Sequence, residues 1–206
     1  PVLIFPTAGG DCEEPERQGL IGAVSGLIEA GRIKVYAVDS VPGRHWTSRQ
    51  HSPEYCSRVQ NLFDAYVYEE VVPLIRSDCA THDLEIVTAG ASYGALFAVA
   101  SLCRHPDAFR LALGMSGTYD LSGYLGGRWN DDFYFSSPLH FVPGLGEGWQ
   151  LDALRRRYSH LQRAADNIGN RAELSDDPLA RLEAEVPHPA EIEGQHRQRD
   201  ALRRVG

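Results

Sequence analysis

The stretch LEIVTAGASYGALFAVASLCR, residues 84–104, changes its hydrophobic period halfway along. Leu84 to Thr88 is short, apolar and β-branched, which predicts a strand covered on both faces. Ala95 to Cys103 is an almost unbroken apolar run of helical length, which predicts a helix packed beneath a sheet. Between them Gly90-Ala91-Ser92-Tyr93-Gly94 fits G-x-S-x-G. Strand, tight turn and helix with a serine at the bend is the context of a nucleophile elbow. Side chains at the two glycines would collide with the neighbouring strand and helix, and the serine has to accept a strained backbone. The expected product is an exposed Ser92 Oγ beside the N–H of Tyr93. The competing reading makes Ser92 an ordinary N-cap of a core helix.

On the N-terminal side, Pro1 to Pro6 reads as a buried strand ended by the turn Thr7-Ala8-Gly9-Gly10-Asp11. A glycine-bearing turn after an early strand is where backbone N–H groups, here of Ala8 and Gly9, complete an oxyanion hole with Tyr93. Asp11 also reads as an N-cap, with Glu13 and Glu14 at the positive helix end, and the two readings are compatible. Leu20, Ile21, Val24, Leu27 and Ile28 lie at helical spacing, and Gly31 supplies a stop. Ile33 to Ser40 is a second strand. Val41 to Tyr55, rich in Gly, Pro, His, Trp and Ser, reads as a loop whose His45 and Trp46 either line a pocket or pack on the domain's own surface. Val59 to Ile75 marks a long amphipathic helix that Pro73 kinks or shortens.

On the C-terminal side, His105-Pro106 closes the elbow helix, with His105 in a capping or surface role. Arg110 to Gly114, running on to Gly117, is a fourth strand. Strands alternating with helices predict an α/β fold with a mostly parallel sheet covered on both faces. Ligands bind at the carboxyl ends of such strands. Ser92, the Thr7–Asp11 turn, Asp39 and the Ser116–Asp120 turn should therefore share one rim. Tyr119 to Pro138 is an aromatic and acidic excursion that serves as a substrate-facing wall or as a cap over the core.

The chain of 206 residues fits a single domain with a substantial core. A net charge of −8 and a pI near 5.4, with no basic stripe, argue against a nucleic-acid partner. No apolar run reaches membrane-spanning length, and no charged leader precedes PVLIF. The four cysteines, Cys12, Cys56, Cys79 and Cys103, lack metal-ligand spacing and read as reduced and mostly buried, with a cytoplasmic location following. No metal is expected.

The motifs FPTAGGD (Phe5–Asp11), VYAVDS (Val35–Ser40), GASYGA (Gly90–Ala95), MSGTYDL (Met115–Leu121) and NDDFYFSSP (Asn130–Pro138), in this order, resemble the putative esterase family of the α/β-hydrolase superfamily. That group includes esterase D-like enzymes and the mycolyltransferase antigens. The resemblance covers Pro1 to about Tyr158. It implies an α/β-hydrolase fold, serine-based carboxylic-ester chemistry on a small-molecule ester, and no cofactor.

Residues 159–206 depart from the family pattern. They contain no aromatic residue and no buried-type strand, and the family's Gly-His-Asp-Trp segment is missing, so this part is expected to be an atypical, poorly packed tail. Ala165-Asp166-Asn167-Ile168-Gly169 is similar to the family's acid-bearing segment, which implies Asp166 as triad acid. Glu193-Gly194-Gln195-His196 is similar to the end of its histidine loop, which implies His196 as base; His188 and His160 are rivals, and Asp120 is the alternative acid. The expected activity is ester hydrolysis through an acyl-serine intermediate. Acyl transfer by the same residues, or a non-catalytic protein with a degraded triad, are the alternatives.

Overall fold

The computed structural model describes residues 1–157, and within them four parallel strands make one sheet. They are β1 (Val2–Phe5), β2 (Val35–Ala37), β3 (Ile86–Ala91) and β4 (Phe109–Met115), in the order β2-β1-β3-β4. The helices include α1 (Glu14–Arg17), α2 (Leu20–Ala23), α3 (Ser25–Glu29), α4 (Val41–Ser48), α5 (Pro53–Tyr66), α6 (Val72–Asp78), α7 (Tyr93–Arg104), α8 (Asp131–Ser136) and α9 (Pro138–Phe141). No helix among the described residues is long and apolar enough to cross a membrane.

Register decides which side chains meet. Leu3 pairs with Thr88, Phe5 with Gly90, and Thr88 with Ala112, so these residues share one face. On that face Thr88 Oγ1 donates to Ala98 O of α7 at 2.9 Å. Phe5 meets Phe63 of α5 and Phe97 of α7 at ring separations of 6.2 and 6.3 Å. Leu3, Phe5, Ile75, Ile86, Leu96 and Phe109 are among the fully buried residues that anchor this core. The near-continuous apolar run of α7 follows from its place: Tyr93 to Ala98 are all buried.

The chain leaves β1 toward β2, then returns past β1 to β3 and β4. The direction of winding therefore reverses between β1 and β3. A crevice opens outside the carboxyl ends of strands at such a reversal, because the connections leave in opposite directions. The Thr7–Asp11 turn and the Ser92 bend are the segments that follow these two strands.

Several elements differ from the sequence expectation. The apolar positions from Leu20 to Ile28 do not lie on one helix. Gly19 takes a left-handed φ of 78°, and the segment breaks into short turns at Val24, with Gly22 and Gly26 weakening it further. Val41 to Ser48 is a helix and not part of a loop: Pro42 sits in its first turn, where a missing N–H costs nothing. The long helix starts at Pro53, with Ser52 Oγ accepting the Tyr55 N–H at 3.3 Å. It widens into a π turn at Val67–Val71 before α6. Pro73 explains that widening, since it cannot donate and its ring would crowd the carbonyl of Glu69. His105 takes the capping role expected of it, standing at the C-cap of α7 with its N–H on Ser101 O, but it is not on the open surface: its ring stacks on Tyr68 at 4.0 Å, and its Nε2 lies 2.8 Å from Asp64 Oδ2. The four cysteines are free, but they are not mostly buried: Cys56 is buried, Cys79 and Cys103 are half-buried, and Cys12 is exposed.

Trp46 is buried in the core and donates through Nε1 to Gln60 Oε1 at 2.9 Å; Gln60 Nε2 in turn donates to Ser136 O at 3.0 Å. Gln60 is itself only 4% exposed, so both partners depend on it. Gln60→Met keeps the volume but strands an indole N–H and a carbonyl. Each stranded group costs about 1–3 kcal/mol, so urea unfolding is expected to show a loss of about 3 kcal/mol. A loss below about 0.5 kcal/mol would show that water replaces the amide.

Candidate active site

Ser92 sits at φ 56° and ψ −117°, a conformation a residue with a Cβ takes only when the surroundings impose it. The surroundings are visible. Its N–H donates to Met115 O at 3.0 Å, and its carbonyl accepts the Thr118 N–H at 3.1 Å. The exit of β4 thus clamps the bend on both sides of the serine. A Cβ on Gly90 would lie 2.8 Å from Gly94 Cα, and one on Gly94 would lie 2.6 Å from Pro6 O. The glycines are there so that β3, α7 and the end of β1 can touch.

Ser92 stands at the N-cap position of α7, yet its side chain makes no capping hydrogen bond. The ordinary N-cap reading therefore does not hold. The residue is half-buried, so the hydroxyl is neither sealed in nor spent on the helix. Tyr93 is the first helical residue, and the first N–H groups of a helix have no partner within it.

Across the crevice, the turn after β1 is pinned from several directions. Thr7 donates its N–H to Glu14 Oε2 at 2.6 Å and its hydroxyl to Glu14 Oε1 at 2.7 Å. The Gly10 N–H donates to Thr7 O at 3.0 Å, and Arg44 Nη2 donates to Gly10 O at 3.0 Å. Among the described residues the N–H groups of Ala8 and Gly9 make no hydrogen bond. Asp11 does not cap α1, whose N-cap position is Glu13. Its carboxylate accepts from Glu13 N and from Arg17, and the Arg17 guanidinium holds it below the ordinary carboxylate range.

Asp39 lies on the same rim and accepts the Cys12 N–H at 2.9 Å. Asp120 is exposed and accepts the Ser122 N–H at 2.8 Å, which ties it to the turn Ser122–Tyr124. Asp166 and His196, with His160 and His188, lie outside the described residues. Of the described histidines, His45 contacts His51 and Tyr55, His105 pairs with Asp64, His140 meets Ser137, and His82 is exposed. Among the described residues no three His, Cys, Asp or Glu side chains are grouped to hold a metal.

Sequence reasoning missed the wall beside the elbow. Tyr93 is buried, and its ring meets Tyr124 edge-on at 6.4 Å. Burial first, and Tyr124 second, push its phenol well above the ordinary range, and its Oη has no hydrogen-bond partner among the described residues. Tyr124 and Trp46 line one cavity of about 640 Å³. His45 lines another, beside Tyr55 and Leu62, so His45 and Trp46 do not share a pocket. In the Tyr119–Pro138 excursion Leu125 and Phe133 are buried, so it caps the core, while Tyr124 lines a cavity.

Residues 17–180 match the family model described as "Esterase: Putative esterase". The chain belongs to the putative esterase family. No curated protein matches it. The esterase-family match takes in the elbow, the exit of β4 and Asp166, and stops short of His196. Membership agrees with the parallel sheet and its flanking helices, and the fold is the α/β-hydrolase fold. It places this esterase-family chain among hydrolases that act on small-molecule esters.

Proposed function

We propose that the chain is a serine carboxylic-ester hydrolase that works through an acyl-serine intermediate. The observation that carries this reading is the strained, uncapping Ser92 at a β-to-α bend, opposite the turn that follows β1. A strained backbone at a serine that spends no side-chain bond on the fold points to a hydroxyl kept for a ligand.

In this reading Ser92 Oγ attacks the ester carbonyl carbon while His196 takes the hydroxyl proton, and Asp166 holds the imidazole in the right tautomer. The negative oxygen of the tetrahedral intermediate accepts hydrogen bonds from the N–H of Tyr93 and from Ala8 and Gly9. Collapse breaks the ester C–O bond, and the alcohol leaves with the proton from His196. Water then adds to the acyl-serine by the same route in reverse, giving the free acid and restoring Ser92. No cofactor takes part in this scheme. The single domain is proposed to span 1–206, with the base and acid supplied from beyond Tyr158.

A fluorophosphonate probe tests the reading. The intact protein should be labelled at Ser92 within minutes, with loss of p-nitrophenyl ester turnover in proportion. Labelling as slow as that of an ordinary surface serine would sink it and leave the non-catalytic alternative. Product analysis with an added alcohol separates hydrolysis, which yields free acid alone, from transfer, which yields a new ester.

A further inference from the structure

We infer that the cavity lined by Tyr124, Trp46, Arg49 and Arg128 receives the far end of an acyl group that carries a free carboxylate, so that the preferred substrates are esters of dicarboxylic acids. The inference rests on the hydrolase reading of Ser92 and adds a substrate class to it.

The cavity is built from two directions. Trp46 and Arg49 come from α4 and its end, which follow β2; Tyr124, Leu125 and Arg128 come from the segment after β4. β2 and β4 are the outer strands of the described sheet and flank β1 and β3, whose ends carry the turn and the elbow. The two contributing segments thus follow the strands on either side of the pair that carries the turn and the elbow, and they meet where Trp46 and Tyr124 touch, ring centroids 6.1 Å apart. Tyr124 makes the link directly, since its ring contacts Tyr93, the neighbour of Ser92 in the chain. A volume of about 640 Å³ is the size of a small-molecule site.

The wall has two characters. Tyr124 gives the exposed apolar side, backed by the buried Trp46 and Leu125, and Trp46 is held rigid by its bond to Gln60. Arg49 and Arg128 give a cationic side, with His51 beside them. Arg49 ends α4 in a left-handed conformation, φ 54°, which turns the chain at that point. It has no ion-pair partner among the described residues. Arg128 has Glu54 alone, at 3.8 Å between two largely exposed side chains. The rim therefore holds an excess of positive charge in a chain whose net charge is −8. Two arginines and an aromatic wall in one cavity suit a ligand with an apolar stem and a planar anionic head, which is the shape of an acyl chain ending in carboxylate.

Two esters of equal chain length provide the test: mono-p-nitrophenyl glutarate, which is anionic, and p-nitrophenyl pentanoate, which is neutral. The wild type is expected to favour the glutarate ester by about tenfold in kcat/KM. In the Arg49→Gln/Arg128→Gln protein that ratio should fall by about tenfold, and Arg110→Gln, on β4, should leave it unchanged. An unchanged ratio in the double variant, with both esters turned over, overturns the cavity assignment and leaves the hydrolase reading standing. Calorimetric titration of monomethyl glutarate into Ser92→Ala separates the other case. Binding there that the double variant abolishes, in a protein that hydrolyses neither ester, keeps the cavity and removes the hydrolase reading. Neither binding nor hydrolysis overturns both.

Discussion

Ser92→Ala is expected to lower kcat on p-nitrophenyl acetate by at least about 10⁴-fold, while the thermal midpoint moves by no more than about 2 °C. The two halves of that expectation come from one geometry. The serine's backbone is gripped through its N–H by Met115 and through its carbonyl by Thr118, and alanine keeps both bonds. Its side chain contributes no cap to α7, so removing the hydroxyl deprives the helix of nothing. An ordinary N-cap behaves in the opposite way: its loss costs about 1 kcal/mol of stability and leaves chemistry alone. The paired measurement of rate and midpoint thus separates the two roles. Retained turnover would rule out Ser92 as nucleophile.

Gly94→Ala is expected to cost both stability and rate. The new Cβ would lie 2.6 Å from Pro6 O and 2.9 Å from the Phe5 carbonyl carbon, both backbone atoms. β1 is paired on one side with β2 and on the other with β3, so it cannot retreat without loosening ladder bonds. α7 cannot retreat either, because its buried face packs β3 and β4. Overpacking between two backbones costs about 3 kcal/mol, which for a chain of this size lowers the thermal midpoint by about 10 °C. A shift of the elbow by about 1 Å would also cost about 100-fold in rate. Gly22→Ala is the control. It sits in α2 with nothing within 4 Å of the added Cβ, and should be neutral or stabilising by up to about 1 kcal/mol. A Gly94→Ala protein as stable as that control would mean that β1 and α7 are not in contact at Pro6.

The strand, bend and helix of residues 84–104 were legible because everything that makes them is local. A short β-branched run, two glycines and a long apolar run each restrict the backbone without help from distant residues. The parallel sheet was legible for a related reason, since alternation of strands and helices leaves few other ways to bury both faces. α4 was not legible. Its Pro42, Gly43 and His45 read as loop residues, and what makes it a helix is the burial of Trp46 and the approach of Ala8 to Gly43, where a Cβ would lie 2.7 Å from Ala8 Cα. The π turn is a second example, set by Pro73 inside a helix that packing keeps running.

The chain alone settled that a serine would be raised at a bend between β3 and α7, because steric limits on glycine and serine act over a few residues. Only the folded arrangement decided what surrounds it. The grip of Met115 and Thr118, the pinning of Thr7 by Glu14 and the wall shared by Trp46, Arg49, Tyr124 and Arg128 join segments far apart in sequence. Those contacts depend on strand order and register, and no short window of sequence encodes either.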